Sequence, residues 1–365
     1  MAKGPRVTEL RLYASALALE RDRPSGARER IVRLLEGASA VHDVTVLSAD
    51  VWTEEERSRL ARCEWQCIGD VRPGALWRWR NERKLLAQMG AFSRGAVLLQ
   101  DAMPWVQHAR LIGTVHDLRH WRHGILGVVH RSIARRSLQR ARLVACPSEA
   151  VRNELAMRVP ECAARIRYVP NGVDSTPMAT GPRAQVPRLL WVGHCEPRKD
   201  PQVMLKAFAL LSVAWPSLHL DMVGKGALDL DDLARRVLAR ELRSRWKWHE
   251  DCDAMHLRQL RASATLGVVT SQLEGFSLVP LECLSAGLPV IVTDLAAHRE
   301  VLGQAAGYVP VGDPAALAAA IDALLRDEQQ RQHLALNGRV VAERLSWDSA
   351  VRQFLTVLTE VQTSA

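Results

Sequence analysis

At 365 residues the chain is too long for one ordinary core and comfortable for two domains. Hydrophobic residues make up 48% and charged residues 24%, which excludes a disordered polyelectrolyte, and no apolar run reaches the roughly 20 residues that a membrane-spanning helix needs. The net charge of +9 points to anionic partners such as phosphates or an acidic lipid surface, although Arg in an Ala-rich chain carries most of it, a pattern that coding bias also produces.

In chain order, residues 1–5 run into a strand-like segment at 7–12 without the apolar stretch of a secretory signal. A cytoplasmic location is expected, at most peripheral on the inner face of the plasma membrane. Val44-Thr45-Val46-Leu47 and residues 95–99 and 111–115 are short strand-like runs. Residues 27–35 and 129–141 have helical periodicity. Leu143-Val144-Ala145-Cys146 reads as a strand, after which Ser148 caps a helix. Residues 176–187 hold three prolines and a glycine and read as a linker and hinge. A second series follows, with strands at 189–193, 218–224, 266–270 and 289–293 and helices at 201–212, 314–325 and 328–345. A last helix starts at Trp347 and runs to about Val361. Such alternation implies parallel sheets, and doubly wound sheets bind ligands beyond the carboxyl ends of their strands.

The seven cysteines are scattered, and Cys63 and Cys67 have no second pair to complete a zinc site, so free thiols are expected. Asp229-Leu230-Asp231 and Asp251-Cys252-Asp253 are Asp-x-Asp strings of the kind that can hold a metal, but the second precedes a helical stretch where an acidic cap belongs. Basic and tryptophan-rich residues 72–84 and the series Arg131, Arg135, Arg136, Arg140 and Arg142 suit either a solvated face or contact with an anionic membrane. No nucleic-acid-binding motif is present.

The densest chemistry lies in Glu274-Gly275-Phe276-Ser277-Leu278-Val279-Pro280-Leu281-Glu282, followed by Ala286-Gly287-Leu288-Pro289-Val290-Ile291. Carboxylates accept hydrogen bonds from vicinal hydroxyls, glycine lets backbone approach a ligand, and a helix start binds phosphate. The whole string resembles the signature of glycosyltransferase family 4, with Ser277 standing where glycine is usual. Other segments agree in order. Val192-Gly193-His194-Cys195-Glu196-Pro197-Arg198-Lys199 resembles the family's donor-phosphate loop, with His194 in place of its usual arginine. Val223-Gly224-Lys225-Gly226 resembles the turn near the nucleotide, and Val169-Pro170-Asn171-Gly172-Val173-Asp174 the segment before the second domain. Thr114-Val115-His116-Asp117 resembles the strand end whose histidine lies at the transferred sugar. Pro24-Ser25-Gly26-Ala27 keeps one glycine of the family's first loop, and Arg299-Glu300-Val301 matches its Glu-Val position.

The resemblance implies a GT-B fold: two Rossmann-like, doubly wound α/β domains facing a cleft. The acceptor side spans 1–178 and the donor side 179–346, and a C-terminal helix at 347–365 crosses back to the first domain. It implies retaining transfer of a hexose from a UDP- or GDP-sugar to a saccharide or lipid-linked acceptor, without metal or other cofactor. Glu274 is assigned to the donor sugar, Glu282 to the ribose and Arg198 and Lys199 to the diphosphate. Gly193, His194, Gly224, Gly226, Gly275, Phe276, Ser277 and Leu278 line the donor site. His116 acts at the sugar, and Ser25, Gly26 and Asp117 form the acceptor-side loops. A sugar-nucleotide epimerase, a phosphorylase or a non-catalytic sugar-binding homologue would share this fold.

Overall fold

The computed structural model describes residues 10–17, 26–49, 52–69, 75–93, 95–100, 106, 110–118, 125–176 and 186–363. Ser25, the first residues of the strand read at 7–12, residues 72–74 and most of the linker at 176–187 lie outside them.

The chain divides into two compact units, Met1–Gly172 with Trp347–Ala365, and Val173–Ser346. The division falls at Gly172/Val173 rather than at the expected 178/179. Val173 already belongs to the second unit: its N–H bonds the Leu345 carbonyl at 2.9 Å and it bridges Ser346. The following residues are tied down as well, since the Ser285 hydroxyl donates to the Asp174 carbonyl at 2.6 Å.

The first unit runs β1 (Arg11–Ser15), α1 (Gly26–Ser39), β2 (Asp43–Ser48), α2 (Glu54–Arg59), β3 (Glu64–Cys67), α3 (Ala75–Gln88), β4 (Ala96–Gln100), β5 (Leu111–Thr114), α4 (Ile125–Arg140), β6 (Leu143–Cys146), α5 (Glu149–Arg158) and β7 (Ile166–Tyr168). Its described strands form a parallel sheet in the order β3-β2-β1-β4-β5-β6-β7. The central strands β1, β4, β5 and β6 are buried on both faces because both are covered. Leu12, Ala14, Val97 and Leu99 enter one core, while Tyr13 and Leu98 enter the other. In α1, the fully buried Arg30 donates from Nη1 to the carbonyls of Val169 and Pro170 and to Asn171 Oδ1, at 2.8, 3.0 and 2.8 Å. The Pro-Asn-Gly segment is thereby fastened to the first helix.

The second unit runs β8 (Arg188–Val192), α6 (Pro201–Leu211), β9 (His219–Val223), α7 (Leu230–Val237), β10 (Trp246–His249), α8 (Ala254–Ser263), β11 (Leu266–Val269), α9 (Leu278–Ser285), β12 (Val290–Thr293), α10 (Ala296–Leu302), β13 (Ala306–Val309), α11 (Pro314–Arg326) and α12 (Glu328–Arg344). The sheet order is β10-β9-β8-β11-β12-β13, again parallel. Leu189 and Trp191 face one core and Leu190 the other.

The last helix, α13 (Trp347–Thr363), returns to the first unit, as the resemblance implied. Phe354, Val357, Leu358 and Val361 join the core that holds Leu12 and Val97. An added Cβ on Gly37 of α1 would overlap the Val351 side chain, so α1 and α13 pack with almost no gap. Arg167 of β7 donates from Nε to Glu360 of α13 at 2.9 Å.

No described helix is long and apolar enough to cross a membrane. The expected basic faces are partly spent inside the unit. Arg78 is only 12% exposed and lies 3.4 Å from Glu82, and Arg135 pairs with Glu161 at 2.7 Å.

Candidate functional site

In an open parallel sheet the crevice lies where the winding direction reverses. In the second unit that point is between β8 and β11. Residues far apart in sequence meet there because these two strands are neighbours.

The chain leaving β8 makes a 3-10 turn at Pro197–Lys199 and kinks at Asp200, whose backbone is left-handed with φ 47° and ψ 56°. Aspartate tolerates that conformation better than most residues. Its side chain accepts from Val203 N–H at 3.4 Å, capping α6, and from Gln272 Nε2 at 2.8 Å. The turn is also held from the β11 side. Thr270 Oγ1 donates to the Lys199 carbonyl at 2.7 Å while accepting from Trp191 Nε1 at 2.9 Å. Gln272 N–H donates to the Arg198 carbonyl at 2.7 Å.

So held, Lys199 Nζ pairs directly with Glu274 Oε1, and Arg198 Nη1 lies 3.8 Å from Oε2. The two side chains are only 13% and 10% exposed. Ser271 Oγ donates to the same carboxylate at 2.6 Å. Burial pushes the Glu274 carboxyl up, but Lys199, the Ser271 hydroxyl and Arg198 together pull it further down, so its pKa falls below the usual range. The carboxylate is ionised and oriented.

His194 lies beside this pair. Burial lowers its pKa, and Lys199 and Arg198 lower it further against the opposing pull of Glu196 and the Lys225 backbone. The imidazole is therefore neutral at pH 7. Where the family has a permanent arginine charge, this chain leaves the positive charge to Arg198 and Lys199.

The glycines are explained by the contact of two loops. Gly193 N–H bonds the Val223 carbonyl at 3.0 Å, Cys195 N–H bonds the Lys225 carbonyl at 2.8 Å, and Cys195 bridges Gly226. Gly224 has φ +140°, and a Cβ there would overlap the Gly193 carbonyl oxygen; one on Gly226 would overlap the Cys195 carbonyl. Gly224→Ala is expected to cost more than about 2 kcal/mol, through strain and clash together, and to lower the unfolding midpoint. An unchanged midpoint would show that the loops part freely.

Gly275, Phe276 and Ser277 form the turn into α9, which Leu278 opens, and Phe276 is buried in the core. Ser277 has φ 80° and ψ 81° and its side chain does not cap the helix. A non-glycine residue in this region carries a penalty of about 1–2 kcal/mol. The hydroxyl bonds instead to His298 Nε2 at 3.0 Å. Glu282 is held against Arg261 of α8.

The structure thus brings together Gly193, His194, Arg198, Lys199, Gly224, Gly226 and the segment from Glu274 through Ser277 at the carboxyl ends of adjacent strands. Sequence reasoning missed Ser271, Arg261 and His298, which lack a motif. The one available signal was Ser277 itself, since a residue replacing glycine at a left-handed position needs a partner. The two Asp-x-Asp strings act as caps: Asp229 accepts from Asp232 N–H at 2.9 Å and Asp253 from His256 N–H at 2.7 Å.

In the first unit, Gly26 opens α1 after β1, and His116 and Asp117 follow β5. Both places are at carboxyl ends of the sheet. A polar cluster also missed from sequence lies at that unit's own reversal point, β1/β4. Fully buried Glu82 accepts from Ser15 Oγ and, at 2.8 Å, from Gln100 Nε2.

Two Rossmann-like units, with the last helix returned to the first, define the GT-B class of folds. Anabaena HepE, crystallised with UDP and glucose, shares it with a TM-score of 0.75 at 16% identity, over 96% of this chain and 100% of that one. Sucrose-phosphate synthase from Thermosynechococcus elongatus matches with a TM-score of 0.78 at 18% identity, over 98% of this chain and 100% of that one. Two family models match in tandem, "Glycosyltransferase Family 4" over residues 24–176 and "Glycosyl transferases group 1" over residues 177–341. The chain belongs to glycosyltransferase family 4. The phosphatidyl-myo-inositol mannosyltransferase of Mycobacterium leprae is 32% identical over 204 residues, 54% of each chain. The D-inositol 3-phosphate glycosyltransferase of Thermomonospora curvata is 29% identical over 181 residues, 47% of this chain and 42% of its own. This chain spans about half the length of the curated relatives it matches.

Proposed function

We propose that the protein is a retaining hexosyltransferase that uses a nucleoside-diphosphate sugar, and that the sugar is mannose carried by GDP. The observation that carries the reading is the Lys199–Glu274 pair, buried beside Arg198 at the reversal point of the sheet. Several relatives at 30–32% identity are named mannosyltransferases, which supports the choice of sugar.

Arg198 and Lys199 bind the diphosphate, and the first-turn N–H groups of α9, left uncapped by Ser277, supply further donors. Glu274 turns its oriented carboxylate to the hydroxyls of the sugar, and Glu282 takes the ribose. In the transfer the anomeric C–O bond breaks and its electron pair goes to the phosphate oxygen. The acceptor hydroxyl adds on the same face of the ring, and its proton passes to the leaving phosphate. The charge developing on that phosphate is what Arg198 and Lys199 stabilise, which is the largest contribution such a site makes. With these cations in place the reaction runs without a metal. The acceptor is a saccharide or lipid-linked saccharide hydroxyl, met at the inner face of a membrane.

The test is thermal shift with UDP, GDP, UDP-glucose, UDP-N-acetylglucosamine and GDP-mannose, with and without EDTA. A ligand at about 100 times its dissociation constant adds about 2.7 kcal/mol. GDP-mannose is expected to give the largest rise, unchanged by EDTA. A rise only with UDP compounds would overturn the choice of donor, a rise abolished by EDTA the metal-free reading, and no rise at all the transferase reading.

A further inference from the structure

His298 is fully buried in α10. Its Nδ1 lies 2.6 Å from the Thr293 carbonyl oxygen, which can only accept, so Nδ1 carries the hydrogen. Burial lowers the pKa of the ring; Lys199 adds to this, while the Thr293 carbonyl, Glu274 and Asp294 oppose it. In the neutral ring Nε2 is an acceptor, and the Ser277 hydroxyl donates to it at 3.0 Å.

These bonds hold the 271–277 loop at both ends. At its start Thr293 Oγ1 donates to the Ser271 carbonyl at 2.6 Å, and Ser271 Oγ in turn orients Glu274 at 2.6 Å. At its end the loop is fixed by Ser277 on His298. The fixed residue is the one that needs fixing. At φ 80° a serine is strained where a glycine is not, and once free its backbone would relax and re-aim the N–H groups that open α9. A buried hydroxyl seated on a buried acceptor resists that relaxation, because leaving the acceptor would strand both partners.

We infer that His298 is a positioning residue of the donor loop: by accepting from Ser277 it maintains the left-handed turn that a glycine would adopt unaided. The inference rests on reading the 274–282 segment as the donor loop. It identifies the departure from the family pattern at Ser277 as one half of a compensated pair, with His298 as the other half.

The experiment is a mutant cycle read by two measurements: GDP titration by calorimetry and amide hydrogen exchange over residues 271–282. His298→Asn keeps a donor for the Thr293 carbonyl but falls short of Ser277. It is expected to weaken GDP binding about tenfold and to speed exchange in the loop. Ser277→Ala, which removes the hydroxyl, retains the strain and keeps the imidazole on the Thr293 carbonyl, is expected to do the same. In the Ser277→Gly background, His298→Asn is expected to change neither measurement further. His298→Gln, whose longer amide reaches Ser277, is expected to recover most of the loss. Equal effects of His298→Asn in the two backgrounds, or unchanged exchange in both His298→Asn and Ser277→Ala, would overturn the inference. Failure of the wild-type protein to bind GDP would count against the donor reading instead, and the exchange measurement would still decide the role of His298.

Discussion

Lys199→Ala is expected to lower turnover by about 10²–10³-fold, the loss typical when one preorganised donor to a developing anion is removed. Glu274→Ala is expected to be at least as severe, since it removes the sugar contact and leaves Lys199 and Arg198 without the carboxylate that aligns them. The two substitutions differ in their effect on stability. Lys199→Ala removes the nearest cation from an ionised carboxylate that is 10% exposed; breaking a buried pair costs up to about 3–5 kcal/mol, and Ser271 and Arg198 keep the loss below that limit. Removing both partners is expected to recover much of that stability and none of the turnover, a non-additivity diagnostic of a shared site. The pH dependence follows from the depressed pKa of Glu274. A carboxylate lowered on folding contributes stability above its unfolded pKa and loses it as pH falls through the folded one, so this contribution is complete at neutral pH and disappears only in acid. Steady-state rates of donor consumption with parallel thermal melts check these outcomes. Folded single variants with rates near wild type would refute the assignment of both residues.

Removal of α13 is expected to unfold the first unit. A variant ending at Ser346 loses the side chains of Phe354, Val357, Leu358 and Val361, each 5% exposed or less. At about 1.5–3 kcal/mol for each large buried side chain, the loss is about 6–12 kcal/mol. That equals the whole net stability of a typical domain, about 5–15 kcal/mol. The loss also uncovers Gly37 of α1, against which the Val351 side chain packs closely. Residues 173–346 keep their own two cores, so hydrogen exchange is expected to show rapid exchange in 10–172 and retained protection in the second unit. Protection retained throughout the first unit would show that α13 is an accessory to that core.

The strands that were legible in the sequence are those buried on both faces, such as Val44-Thr45-Val46-Leu47 and Val290-Ile291-Val292-Thr293. β3 and β10 were not legible. They lie at sheet edges, and Glu64-Trp65-Gln66-Cys67 and Trp246-Lys247-Trp248-His249 lack a continuous apolar run because each is covered only in part. The helix caps at Asp253 and Ser148 were local enough to read, since a cap acts within three residues of itself.

The same distinction separates the parts of the site. By itself the sequence determined which residue types were present and the local turns that carry them: the glutamates of the 274–282 segment, the Arg198-Lys199 turn and the glycines at 193, 224 and 226. Spacing along the chain is sufficient for such features because backbone conformation is a short-range property. The pairing of Lys199 with Glu274, the capture of Glu282 by Arg261 and the seating of Ser277 on His298 were decided only by the tertiary structure. These partners lie 75 and 21 positions apart. They meet because the sheet order sets β11 beside β8 and β12 beside β11, and burial then makes each unmet charge or hydroxyl costly enough to select one partner.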